Sequence, residues 1–192
     1  MNRRRQCVSA LLLGALQGVL PPVAWSHDLP PRRLVLERSR PDRLTLSYDL
    51  DPVEALQALL EPSWPRARFI AHVSSLAPAA FERALQRAGA ALRAQTRLVT
   101  PAATALPLQA WEWPPAAAWQ EPVQVAAFLQ QAGTPAPDHP RTVHVRAQAT
   151  VPSPRMRLTL HAPPTLLPLQ VLNGPGDPFW LTPMAPTVIV DV

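Results

Sequence analysis

The chain has 192 residues, of which 47% are hydrophobic and 16% are charged, and its formal net charge is +5. A chain of this length can bury a hydrophobic core as one domain. All 18 basic residues are arginines scattered among apolar residues, which disfavours nucleic-acid binding because that function needs a clustered basic stripe. The 26 prolines lie between periodic segments, so we interpret them as element boundaries in a folded domain.

The N-terminal residues have the three parts of a cleavable export signal. Arg3–Arg5 make a positive start, residues 8–20 are apolar, and Ala24 and Ser26 have the spacing of a small-residue cleavage site. The apolar stretch is too short to cross a bilayer, and no later run is longer. We therefore predict a signal peptide at 1–26 and a single periplasmic domain at 27–192 that is not an integral membrane protein after cleavage.

The leader leaves the export route open. Arg4 and Arg5 partly match a twin-arginine signal, but three adjacent arginines also suffice for the general secretory route. The only cysteine, Cys7, leaves with the leader, so the mature protein is expected to have no disulfide and no thiolate site.

A hairpin followed by helices is predicted for the first half of the domain. Residues 32–38 and 43–50 have the character of strands, and the second of them alternates apolar and polar residues. Asp51 is followed by Pro52 and then Glu54, which is the pattern of a capped helix start. Helices are predicted at 52–60, 68–76 and 78–95.

The second half is predicted to consist mainly of strands. One more helix is expected from Glu121 to about Ala132. Strands are predicted at 97–100, 106–113, 142–151, 155–161, 166–172 and 187–192. This order predicts an α+β fold, with an antiparallel sheet or sandwich and a helical insertion after the first hairpin. The last strand is expected to pair beside that hairpin.

The predicted first residue of the mature chain, His27, is the sharpest candidate for a functional site. A terminal histidine offers its α-amino nitrogen and an imidazole nitrogen to one metal ion, and such ligands favour Cu(II) or Ni(II). A further imidazole would come from His139, His144 or His161, and we place the candidate metal site at His27, His139 and His144. The alternative is that His27 is an ordinary first residue and His144 lies on a solvated sheet face.

Two further patterns allow either a functional or a structural interpretation. Trp111 and Trp113 lie on one side of a predicted strand, as a binding platform or as part of the core. Asp49 and Asp51 are spaced like a catalytic carboxylate pair, but Asp51 is also the expected helix cap. The common hydrolase, metalloprotease, phosphate-loop and thiol motifs do not occur in the sequence, so no enzyme is predicted.

The layout resembles that of signal-peptide-bearing proteins of the bacterial periplasm. A leader is followed by His27 and Pro30, then by the strand Leu34–Leu36, and the chain finishes in the strand Val188–Val190. This frame is also similar to the extracytoplasmic segment ahead of the membrane helices in hydrogenase/urease accessory proteins linked to nickel or cobalt uptake. In its terminal histidine alone, the chain resembles histidine-first copper-binding β-sandwich proteins of the periplasm. These resemblances imply a role in metal handling.

Two functions follow as expectations. The first is an exported, non-enzymatic accessory or interaction protein whose partner is an envelope or inner-membrane complex. The alternative is a periplasmic protein that binds copper or nickel through His27.

Overall fold

A computed structural model describes residues 32–135, 141–153, 155–174 and 177–192. The strands within these residues are β1 (Arg33–Arg40), β2 (Arg43–Leu50), β3 (Arg97–Val99), β4 (Ala105–Leu106), β5 (Leu108–Glu112), β6 (Val143–Thr150), β7 (Arg157–His161), β8 (Leu169–Asn173), β9 (Phe179–Leu181) and β10 (Thr187–Asp191). The α-helices are α1 (Pro52–Leu60), α2 (Arg66–Ser74), α3 (Pro78–Gln95) and α4 (Ala116–Gln131). The predicted α+β fold with a helical insertion after the first hairpin is confirmed.

The strands form two sheets. The first sheet has the order β5-β6-β2-β1-β8-β9, and the second has the order β10-β7-β3-β4. All pairs are antiparallel except β1 with β8, which run parallel. In the first sheet, β2 pairs along its whole length with β6, and its alternate residues from Leu44 to Leu50 are buried. The two-residue period of the sequence therefore identifies the buried face of this central strand correctly.

The closing strand does not lie where the sequence prediction places it. β10 pairs with β7 at an edge of the second sheet, with Val188 opposite Leu160, and β8 occupies the place beside β1. Both β8 and β10 turn apolar residues toward the core, including Val171 and Val190. Alternating burial is satisfied in either sheet, so the sequence pattern does not distinguish the two positions.

Pro107 divides the predicted strand 106–113 between the two sheets. β4 precedes this proline and pairs with β3, whereas β5 follows it and pairs with β6. Proline has no N–H to donate to a strand ladder, which favours an interruption at this residue. The chain therefore crosses here from the second sheet to the first.

The helices agree with the prediction except that α2 lies two residues earlier in the chain and α4 starts earlier. Oδ1 of Asp51 accepts a 2.7 Å hydrogen bond from the backbone N–H of Glu54, which caps α1 as expected. α4 begins at Ala116 instead of Glu121, so Pro122 lies inside the helix. Trp119 is completely buried, and its burial offsets the backbone hydrogen bond that Pro122 cannot donate. Among the described helices, none is long and apolar enough to cross a bilayer.

A pair of buried hydroxyl groups links the first sheet to the end of the helical insertion. Apart from the tyrosine, Thr96 is the only buried residue with a polar side chain among the described ones, and its Oγ1 lies 2.9 Å from the hydroxyl of Tyr48 and 2.8 Å from the backbone oxygen of Leu92. A carbonyl oxygen only accepts, so Thr96 donates to Leu92 and accepts from Tyr48. Burial raises the pKa of Tyr48, which keeps its hydroxyl protonated as a donor.

We expect Thr96→Val to lower the free energy of unfolding more than Tyr48→Phe. Removing the Tyr48 hydroxyl loses one hydrogen bond worth about 1 kcal/mol, whereas Thr96→Val leaves a buried phenol unpaired at a cost of roughly 1–3 kcal/mol. Urea unfolding of both variants and of the double variant measures the difference. Adding Tyr48→Phe to Thr96→Val should recover part of the loss. A double variant that is less stable than Thr96→Val would contradict this assignment of donor and acceptor.

Candidate functional site

His144 lies on the outer face of the first sheet and is held there by a carboxylate. Its Nδ1 atom is 2.6 Å from Oδ1 of Asp49, across the pairing of β6 with β2. The His144 side chain is 58% exposed and that of Asp49 is 26% exposed. Because a carboxylate only accepts, Nδ1 carries the proton of this hydrogen bond. In the neutral ring, the Nε2 lone pair then remains for another partner.

The surrounding outer face is polar. Arg33, Asp49 and His144 are aligned across β1, β2 and β6, and the next outward row includes Ser47 and Arg146. The alternating burial along β6 confirms that the histidine, the arginine and the following glutamine lie on the side away from the core. This arrangement is typical of a solvated sheet face, and it also exposes one oriented imidazole.

The structure does not place the other predicted metal ligands beside His144. His27 and His139 lie outside the described residues. His161 is on β7 in the second sheet, opposite Arg97 and Thr187. Within the described ranges, no three histidine, cysteine, aspartate or glutamate side chains are grouped in a way that would hold a metal ion. The described part of the site therefore consists of His144 with its Asp49 partner.

Asp49 and Asp51 make separate contacts. Asp49 contacts His144 on the outer face, whereas the carboxylate of Asp51 is occupied with the N-terminus of α1. Burial raises the pKa of Asp51, and the hydrogen bond from the N–H of Glu54 opposes this effect without cancelling it. The structural interpretation of Asp51 as a helix cap is therefore the correct one.

The tryptophans pack against the core instead of forming an open platform. Trp113 stacks on the completely buried Trp119, with ring centroids 5.0 Å apart and planes at 10° to each other. Trp111 is also partly buried against the hydrophobic core. The indole N–H groups of Trp113 and Trp119 are buried without a hydrogen-bond partner among the described residues. These contacts favour the core interpretation of the Trp111/Trp113 pair.

A further surface lies where β9 meets β10, and we call it the β9–β10 seam (residues 179–191). It was not predicted from the sequence. β9 is an edge strand of the first sheet and β10 is an edge strand of the second, and no strand ladder joins them within the described residues. A bridge between Thr182 and Ala185 closes one end. At the other end, Nδ2 of Asn173 donates a 2.8 Å hydrogen bond to the backbone oxygen of Asp191.

Exposed apolar side chains are concentrated at this seam. Among the described residues, six large hydrophobic side chains are exposed, and four of them lie at the seam: Phe179, Trp180, Met184 and Ile189. The apolar pair Phe179-Trp180 directly after a glycine-rich turn was the available sequence signal. Its meaning depends on the two strand edges, which only the fold brings together.

No family model, no curated protein and no solved structure matches the chain in three comparisons.

We expect Asp51→Asn to be at least as stable as the natural chain at pH 7, and Asp51→Ala to be less stable by about 1 kcal/mol. Asparagine keeps the capping oxygen but has no charge to bury, whereas alanine removes the cap. Because the pKa of Asp51 is raised by folding, the stability of the natural chain relative to Asp51→Asn falls as the pH rises from about 3.8 through the folded-state pKa. Urea unfolding of both proteins from about pH 3.5 to about pH 7 tests this. If the stability advantage of Asp51→Asn over the natural chain grows as the pH is lowered, the prediction is wrong.

Proposed function

We propose that the chain is an exported protein of the bacterial periplasm that acts without catalysis, as an accessory or interaction protein for a partner in the cell envelope. The arginine-led apolar leader and the small residues before His27 support export. The β9–β10 seam supports a binding role. It is the one observation that carries the proposal, because it combines exposed apolar side chains with two strand edges that form no ladder among the described residues.

An exposed strand edge is a template for another strand. Each edge presents backbone N–H and C=O groups that can form a ladder with an added segment, and proteins commonly protect such edges with charges. β10 has the sequence Thr-Val-Ile-Val-Asp, with its only charge at its end, and β9 has the sequence Phe-Trp-Leu with none. A partner segment that pairs at the seam would satisfy backbone groups and cover Trp180 and Ile189 at the same time.

Site-specific photocross-linking in the bacterium that makes the protein tests this proposal. A benzophenone amino acid replacing Trp180 is expected to cross-link to one envelope protein, because the aromatic group lies at the seam. The same amino acid replacing Gln109, which is exposed on β5 at the opposite edge of the first sheet, is the matched control. Ile189→Lys should abolish the cross-link from position 180 while changing the free energy of unfolding by no more than about 0.5 kcal/mol. Equal cross-linking from both positions, or cross-links that survive Ile189→Lys, would refute the role of the seam.

The second candidate function, copper or nickel binding through His27, is supported by the His144–Asp49 pair. Histidine ligands of metals commonly donate their other ring N–H to a carboxylate, which orients the ring and raises its basicity. His144 has this arrangement, with its Nδ1 joined to Asp49. The donor set of one α-amino nitrogen and two imidazoles also fits Cu(II) or Ni(II).

Chain length permits His27 to reach His144. Arg33 follows His27 by six positions, and an extended segment of that length spans at most about 20 Å. Arg33 and His144 are aligned on strands separated by one intervening strand, which corresponds to roughly 10 Å. His139 lies outside the described residues and stays a prediction as a third ligand.

We expect protein isolated from the periplasm, with an intact mass that begins at His27, to bind Cu(II) in a chelator-competition titration. His144→Gln should lose this affinity, and Asp49→Asn should weaken it by about 10–100-fold because the ring loses its orienting carboxylate. His161→Gln, on the second sheet, is the matched control and should bind like the natural protein. One extra residue before His27 should also abolish binding. If His144→Gln and His161→Gln titrate alike, the proposed ligand set is wrong.

A further inference from the structure

A groove of about 550 Å³ runs between α2 and α3, and we call it the α2–α3 groove. Leu76, Ala80 and Ala90 supply its apolar surface. Its polar wall is made by His72, Arg83, Gln86 and Arg87. None of the described residues that line it is an aspartate or a glutamate. The half-buried Leu76 and Ala80 form what we call its base, and the exposed Arg83 and Arg87 lie beside them.

Arg83 and Arg87 make no ion pair with a described residue. They are four residues apart on α3, so their side chains are neighbours on one helix face, where like charges repel. A carboxylate on α3 could pair with either arginine only from a position three or four residues away. Those positions hold alanine, glutamine or the other arginine. Within the described residues, no carboxylate lies within 4.0 Å of either guanidinium, whereas Arg32, Arg66, Arg141 and Arg157 each have a carboxylate partner.

His72 connects the groove to a fixed aromatic group. Its ring lies edge-on to Trp64, with centroids 5.5 Å apart, and the guanidinium of Arg68 covers the same indole at 4.2 Å. Trp64 is thus already in contact with two side chains, and the described residues that line the groove include no tryptophan, tyrosine or phenylalanine. This arrangement holds the His72 side of the groove in place and leaves no stacking platform for a nucleic-acid base.

We propose that the α2–α3 groove binds an acidic amphipathic helical segment of a partner protein. Glutamates four residues apart on such a helix have the same spacing as Arg83 and Arg87, so two carboxylates can meet two guanidinium groups. Apolar side chains on the same helix would cover Leu76 and the two alanines of the groove, as in other helix-in-groove complexes. Charge complementarity thus selects an acidic partner, and the apolar base selects an amphipathic one.

A membrane surface fits these residues less well. Helices that lie on membranes present large apolar side chains on a convex face. Here the apolar residues are one leucine and two alanines in a concave surface between two helices. A flat bilayer would contact the arginines but not the base of the groove.

The inference rests on the proposed interaction role, and a purified probe tests it independently of the β9–β10 seam. The probe is a fluorescent, acetylated helical peptide with glutamates four residues apart beside a leucine stripe, and its control has glutamine in place of every glutamate. Fluorescence anisotropy should show that the acidic peptide binds the full chain and that Arg83→Gln/Arg87→Gln weakens binding about tenfold. Ile189→Lys should bind the peptide normally, so a failure at the groove and a failure at the seam are distinguishable.

A matched variant separates the groove from general charge attraction. Arg40→Gln/Arg43→Gln removes the same charge from the exposed β1–β2 turn and should leave peptide binding unchanged. The thermal midpoint of Arg83→Gln/Arg87→Gln should not fall, because the replaced side chains are exposed and repel each other. Peptide occupancy should also change the emission of Trp64, and Trp64→Phe should remove that change.

Four results would overturn the proposal. The first three are that the acidic peptide does not bind, that the glutamine peptide binds equally well, and that Arg40→Gln/Arg43→Gln weakens binding as much as Arg83→Gln/Arg87→Gln does. The fourth is that Arg83→Gln/Arg87→Gln loses binding to vesicles of phosphatidylglycerol and phosphatidylethanolamine but still binds the peptide normally. The last result would assign the arginines to a membrane surface.

Discussion

The buried hydroxyl of Tyr48 needs a partner, and the position of that partner determines where the helical insertion returns to the sheets. Tyr48 lies in the central strand β2, and Thr96 is the first residue after α3. An unpaired phenol in the core would cost roughly 1–3 kcal/mol, so the end of α3 is held against β2 by the 2.9 Å contact between the two hydroxyls. β3 starts at the next residue, which places the second sheet relative to the first. This hydrogen-bonded pair therefore joins β2 to the point where α3 ends and β3 begins.

The two sheets are connected by the chain at both of their ends, and the two connections differ. At Pro107 the chain passes directly from β4 to β5, and both short strands are paired within their own sheets. Between β9 and β10 the chain makes a turn at Thr182–Ala185, and the two strands that follow and precede it are not joined by a ladder. β4 and β5 also form no ladder with each other, so the second connection is distinguished from the first by its apolar surface. Apolar exposure is concentrated at the same place, with Trp180 and Ile189 on its two strands.

Local patterns predicted the elements well, but not their neighbours. The alternation in β2 and β6 and the Asp51 cap depend on residues close in sequence, so they could be identified without the fold. The start of α4 was missed because the burial of Trp119 is a tertiary effect that overrides the proline signal. The carboxylate partner of His144 was missed for a related reason. Asp49 and His144 are 95 positions apart and meet only because β2 pairs with β6.

The arginines differ in whether folding brings a carboxylate close to them. Arg32 and Arg66 contact Glu54 beside the start of α1, and Arg157 contacts Asp191 across the pairing of β7 with β10. Those guanidinium groups compensate carboxylates that folding brings near them. Arg83 and Arg87 instead repel each other on α3, with no compensating carboxylate among the described residues and with an apolar groove beside them. The proposed acidic helix at the α2–α3 groove would supply the compensation that this pair lacks.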